Sequence, residues 1–214
     1  TLPSGEVVMV PDRYVRASDF NGKLGQANNP EWKTVALDNN GKVVLPTGAI
    51  GFRWGADGRA DQGQWNLQAK EARHGGDVKL KLSVMEGENP SQDTAKVGFP
   101  YFGGIESDNF PNNASGDAAN NVLVRTVPVQ RISLGKDGDK REALVATVFD
   151  LQVANYGVAR GLPGELAANS FDDDTPYTPA WQERITGTPR EQLITVARQF
   201  ADNADKTHGK SMVI

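Results

Sequence analysis

Residues 177–214 read YTPAWQERITGTPREQLITVARQFADNADKTHGKSMVI, and their punctuation decides what the chain builds at its carboxyl end. Thr178-Pro179 supplies a helix cap followed by proline at the first helical position, and Gly187 closes that short helix. Thr188-Pro189-Arg190-Glu191 predicts a second start through a capping box, a hydroxyl at the cap with glutamate three residues on. Leu193, Ala197, Phe200, Ala201 and Ala204 then recur at helical period, which predicts a buried stripe anchored by Phe200. Gly209 stops the helix, and Ser211-Met212-Val213-Ile214 begins an apolar strand. In α/β proteins such a strand delivers the chain to a loop at its carboxyl end, where ligands bind. The expectation is an internal piece of a larger fold, ending one step short of its chemistry.

Upstream, Asp150 is expected to cap a helix running through Arg160, with Leu151, Ala154 and Val158 on one face and Gly161 as terminator. Residues 163–176 form a loop carrying Asp172-Asp173-Asp174. Before position 149 the pattern is extended. Residues 6–10 and 32–37 are β-like, and Asp38-Asn39-Asn40-Gly41 offers a hairpin turn into 42–45. Residues 50–54 are another short strand, and 78–84 alternate strictly, which predicts a core face and a lysine-bearing solvent face. Residues 85–96 and 103–120 read as surface loops. Strands over 122–129 and 129–134 meet at a bend marked by Pro128, and Gly135-Lys136-Asp137-Gly138 turns into 144–148. The whole is a mixed α+β chain. A β-rich, loop-rich part (1–148) precedes a helical region (149–214) leading into the first strand of an α/β layer, and neither part has a complete core alone.

The 214 residues are 38% hydrophobic with a net charge of −4, which gives no basic footprint for nucleic acid. No apolar run is long enough to span a membrane, and no secretory signal opens the sequence. With no cysteine, disulfides, thiolate metal sites and cysteine nucleophiles are excluded. His208, near a helix C-terminus, suits a capping role, and His74 has no partner at metal-ligand spacing. Asp172-Asp173-Asp174 reads as a solvated acidic loop ahead of a cap rather than a cation site. Asp137-Gly138-Asp139 and Asp57-Gly58 lack the spacing of a calcium loop, and Gly103-Gly104 is too short to cradle phosphate. Asn113-Ala114-Ser115 fits a glycosylation sequon without other signs of secretion. Trp32, Trp54, Trp65 and Trp181 are irregularly spaced, favouring core or loop-anchoring roles over a stacking platform. No catalytic residue and no metal ligand is assigned, and no position is assigned to a cofactor.

LGQANNPEWKTVAL (24–37), IGFRWG (50–55), QWNL (64–67), VGFPYFGG (97–104), VFDLQVANYGVARGL (148–162) and the carboxyl-terminal segment occur in one order across nearly the whole chain. Together they resemble the molybdopterin oxidoreductases, specifically the catalytic alpha subunits of respiratory nitrate reductases. QANNPEWKTVA and GFPYFGG are the more specific blocks, whereas the Thr-Pro/capping-box segment is shared across the superfamily. The resemblance implies a parent enzyme with molybdenum held by two molybdopterin guanine dinucleotides, and a [4Fe–4S] cluster near its N-terminus. The molybdenum-ligating aspartate falls upstream of this segment, and a glycine-rich pterin-contacting run lies beyond Ile214. No cofactor is therefore expected in this piece. Implied partners are the remainder of the alpha subunit, an iron–sulfur beta subunit and a membrane gamma subunit, at the cytoplasmic face of the bacterial inner membrane. The implied substrate is nitrate, with chlorate or selenate used by close relatives. The competing expectation is a free-standing, non-catalytic binding module whose tryptophan-bearing loops meet a ligand or protein.

Overall fold

A computed structural model describes residues 1–214 apart from 3–4, 21–23, 25–28, 51–66, 73–74, 101–121, 136–140, 208, 210 and 212–214. The expectations for His74, His208, Trp54, Trp65, Asn113, both DG turns, Gly103-Gly104 and the strand at 212–214 lie outside the described residues. Over the rest the architecture is mixed α+β, as expected. Four antiparallel strand pairs precede three helices.

Strands β1 (Ala36–Leu37) and β2 (Val43–Val44) flank the expected turn. Its mechanism is an Asx turn: the Asp38 carboxylate accepts from the backbone N–H groups of Asn40 at 2.9 Å and Lys42 at 2.8 Å. Strand β3 (Pro46–Ile50) pairs with β4 (Leu67–Glu71), for which the sequence offered no expectation because LQAKE has little β propensity. Strand β5 (Thr94–Pro100) pairs with β6 (Val122–Pro128), and β7 (Gln130–Leu134) with β8 (Arg141–Val145). The bend near Pro128 and the hairpin after it are thus as read, with the last strand starting at 141 rather than 144.

Three expectations need correction. Residues 78–84 are no strand: Leu80 makes one bridge to Asp38, Lys81 is buried and Leu82 is 57% exposed. The Lys81 ammonium donates to the Asn89 carbonyl at 2.7 Å, so this lysine turns inward where strict alternation had placed it in water. The loop expected over 85–96 ends at residue 93, since β5 begins at Thr94. Residues 6–10 contribute a single parallel bridge, Met9 to Val97, along the free edge of β5. Gly98 allows close packing there: a Cβ on it would lie 3.2 Å from Val8 Cγ2 in this segment and 2.6 Å from Val122 Cγ1 in β6.

Helix α1 (Val148–Asn155) is shorter and earlier than expected. Thr147 is its cap and Asp150 the third residue of a reciprocal capping box, so Asp150 is not the cap itself. The chain leaves the helix at Gly157 rather than Gly161: its φ of 72° suits glycine, and a Cβ there would lie 2.8 Å from Arg125 Nη2. Helix α2 (Pro179–Thr186) has the expected Thr178 cap, proline at its start and Gly187 at its end in the left-handed conformation. Helix α3 (Arg190–Lys206) departs from the reading at its start, where Pro189 occupies the cap and no side chain caps the helix. At its other end the Gly209 N–H closes onto the Ala204 carbonyl at 2.7 Å, a Schellman-type stop. The stripe is the larger correction: α3 buries no residue, with Leu193 38% and Phe200 42% exposed.

Two apolar cores result. Ala17, Phe20, Leu24, Leu45 and Ile132 form one, beneath a short 3-10 turn (Ala17–Phe20). Val97, Phe99, Val127, Val129 and Ala154 form the other, where α1 lies on the β5–β6 pair. No helix among the described residues is long and apolar enough to cross a membrane.

Candidate functional site: a buried ionic joint, a buried arginine and an apolar groove

Asp150 is fully buried and gathers three segments of chain. Its carboxylate accepts from Ser83 Oγ at 2.6 Å, the Val84 N–H at 2.9 Å and Arg160 Nη1 at 2.5 Å. Thr147 Oγ1 lies 2.8 Å from the same carboxylate and 2.7 Å from the Leu82 carbonyl, while accepting from the Asp150 N–H. Arg160 also donates through Nη2 to Ser83 Oγ at 2.7 Å and lies over the Phe149 ring. Each carboxylate oxygen has its donors, so the joint fixes the 82–84 segment against α1 and the chain that follows. A buried ion pair with every partner in place holds geometry and offers no free acid or base.

Glu165 repeats this device nearer the surface, accepting the N–H groups of Arg160 and Gly161 at 2.9 Å each. The Asp172-Asp173-Asp174 loop is likewise committed to structure. Asp172 pairs with Arg190 at 2.8 Å and Asp174 with Arg184 at 3.1 Å. Asp173 takes the Asn169 N–H at 2.6 Å and the Ser170 hydroxyl at 3.0 Å, and the Asn169 bond above all lowers its pKa. Arg190 is bound to Glu183 as well, which raises its pKa first, with Asp172 adding to the effect. These acids tie the loop to α2 and α3. Among the described residues no group of histidines and carboxylates is arranged to hold a metal ion.

Arg125, like Lys81, is a buried cation that meets a backbone carbonyl. It sits in β6 at 6% exposure, on the face that packs beneath α1. Its Nη2 donates to the Pro176 carbonyl at 3.3 Å, its Nε is buried with no acceptor, and among the described residues no carboxylate pairs with it. Burial pushes its pKa down, with Tyr177 opposing. Tyr177 follows at a φ of 73°, unusual for a side-chain-bearing residue, and stacks edge-on with Tyr156 and Trp181 at 5.6 and 5.3 Å. Trp181 is therefore a half-buried anchor, as expected. Trp32 is 78% exposed and lies outside the core, a correction to its expected role.

A groove of about 800 Å³ opens between the two cores, walled by Val97, Val127, Val129, Ile132, Leu144 and Leu151. The Arg13–Asp19 pair lies on its rim, bidentate at 2.8 and 2.6 Å. That arginine, ahead of the Arg16 N–H, holds the Asp19 carboxyl below its usual range.

Sequence reading missed Asp150's central role, although Thr147-Val148-Phe149-Asp150 carries the capping-box spacing that signals it. It also passed over Arg125, whose signal is a charge inside the apolar run VLVRTVPV.

Comparison with known proteins supplies the class. No protein-family model matches the chain. It is 49% identical over 202 residues to the respiratory nitrate reductase 1 alpha chain of Escherichia coli (strain K12), covering 94% of this chain and 15% of that relative. It is 45% identical to the respiratory nitrate reductase 2 alpha chain of the same organism, over 99% of this chain and 16% of the relative. The nitrate reductase alpha chain of Bacillus subtilis (strain 168) is 36% identical over all of this chain and 15% of its own length. The chain is homologous to one segment of nitrate reductase alpha chains, and spans 15–16% of the length of these relatives.

Proposed function

We propose that this chain serves as a structural segment of a nitrate-reducing molybdopterin enzyme and is inert alone. The carrying observation is homology to nitrate reductase alpha chains over 94–100% of this chain while spanning only 15–16% of theirs. The reaction of the parent is a two-electron reduction in which nitrate takes up two protons and releases nitrite and water. Bound in the parent, the bis-molybdopterin guanine dinucleotide and its molybdenum would supply the redox chemistry, and a [4Fe–4S] cluster would relay electrons. The residues described here supply no ligand set for either metal centre. Their part is packing: Asp150 and Arg160 set the α1 joint, and β5–β6 with α1 form a wall. Beta and gamma subunits at the cytoplasmic face of the inner membrane would complete the assembly.

The test is a chimera in which this chain replaces the homologous segment of the Escherichia coli alpha chain. Viologen-linked nitrate reduction by the purified, cofactor-loaded chimera is the expected result. A folded, fully loaded chimera without turnover would count against the reading. The isolated 214-residue chain, given the same assay and metal analysis, is expected to show neither turnover nor stoichiometric molybdenum or iron.

A further inference from the structure

We propose that Asn40–Gly41 is a site of self-modification, where the turn fastened by Asp38 holds back conversion of Asn40 to aspartate or isoaspartate. The residue pair supplies the chemistry. The Gly41 amide nitrogen gives up its proton to solvent base and attacks the Asn40 side-chain carbonyl carbon. A carbon–nitrogen bond forms, the bond from that carbon to Nδ2 breaks, and ammonia leaves after taking a proton back from solvent. Water then opens the resulting five-membered cyclic imide at either carbonyl, giving aspartate or isoaspartate. No electrons are exchanged, and water is the co-reactant. Glycine in the following position leaves the attacking nitrogen unshielded by any side chain. Asn40 is exposed, so water reaches its amide.

The fold restrains this route while keeping the reactive pair in place. The Gly41 N–H donates to the Asp38 carbonyl at 2.8 Å, which ties down the proton that must leave first. The Asp38 carboxylate takes the N–H groups on either side, from Asn40 at 2.9 Å and Lys42 at 2.8 Å. Asn89 Nδ2 reaches the Asn40 carbonyl at 3.4 Å, and Gln130 Nε2 donates to the Gly41 carbonyl. Turning the Gly41 nitrogen toward the Asn40 side chain means loosening these bonds. Position 41 nonetheless favours glycine, because its φ is 78° and a Cβ would lie 3.1 Å from Gln130 Oε1. The turn thus requires the residue that makes its neighbour reactive. Isoaspartate would route the main chain through an added methylene between residues 40 and 41. That lengthening pulls the Lys42 N–H from the Asp38 carboxylate and disturbs the register of the short β1–β2 pair. The product therefore unfastens the turn that restrained its formation.

The experiment incubates the intact 214-residue chain at mildly alkaline pH, folded and in guanidinium chloride, and follows residue 40 by peptide mass spectrometry. Fragment ions separate Asn40 from Asn39, and Asn21–Gly22 in the same denatured chain is the chemical reference. In denaturant Asn40 is expected to react about as fast as Asn21. In the folded chain it is expected to react about tenfold or more slowly than in denaturant. Asp38→Ala, shown to be folded by circular dichroism, is expected to speed folded-state conversion by about threefold or more. Should that variant fail to fold, the folded and denatured rates of the unsubstituted chain decide. Asn40 remaining intact in denaturant while Asn21 converts, or converting equally fast folded and denatured, overturns the proposal. So does an unchanged rate in a folded Asp38→Ala chain.

Discussion

Asp150 shows how much one residue carries here. Its carboxylate is the meeting point for Ser83, Val84, Thr147 and Arg160, and supplies Arg160 with its counter-ion. Asp150→Ala would leave Arg160 largely buried without its counter-ion, so a loss of about 3–5 kcal/mol is expected in urea titration. A change below about 1 kcal/mol would show that the joint is dispensable. Asp19 makes a pH-dependent contribution. Its folded pKa is depressed, chiefly by the Arg13 hydrogen bonds, so the stability it adds is complete above the unfolded aspartate value near ~3.9. That stability is lost as pH falls through the lower folded value. Melting temperatures followed from about pH 5 to pH 2 should drop less steeply for Asp19→Asn than for the unsubstituted chain. Parallel curves would remove Asp19 from the acid transition.

At the scale of elements, α3 and β5 carry opposite lessons. The period of Leu193, Ala197, Phe200 and Ala204 is real, and the helix forms where expected, but among the described elements only α2 packs substantially against it. Phe200→Ala is therefore expected to cost about 1 kcal/mol or less by denaturant titration, against the roughly 3–5 of a buried phenylalanine. A larger loss would mean the face is covered in solution. Strand β5 had no strong sequence signal, because TAKVGFP mixes glycine, proline and lysine, yet its Val97 and Phe99 belong to the core beneath α1. Gly98→Ala pushes a Cβ into Val122 and should destabilise by about 1–3 kcal/mol. Retained stability on circular dichroism melting would show that the strands can separate.

For the whole molecule, the two cores and the bare helix predict uneven stability. Amide exchange should be slowest in β5, β6 and α1, where Val127 and Asp150 are fully buried. It should be fastest in α3, which buries nothing. Slow exchange in α3 at low protein concentration would contradict this order. The apolar groove between the cores and the open α3 face fit a segment that completes its packing inside the much longer chains it resembles.

Local signals are those the sequence determined by itself. The Asp38 turn, the Thr178 cap with Pro179, the Gly187 stop and the hairpin after Pro128 each depend on the chemistry of a few adjacent residues. Capping was legible only where nothing competed: at α3 proline took the cap from Thr188, and at α1 Thr147 took it from Asp150. Tertiary structure alone decided burial. Lys81 turned inward and Leu82 outward because Asn89 and Asp150 lie where they do. Arg125 became a buried cation because α1 and Pro176 close over β6. Periodicity says which side chains share a face, but only the rest of the fold says whether anything covers that face.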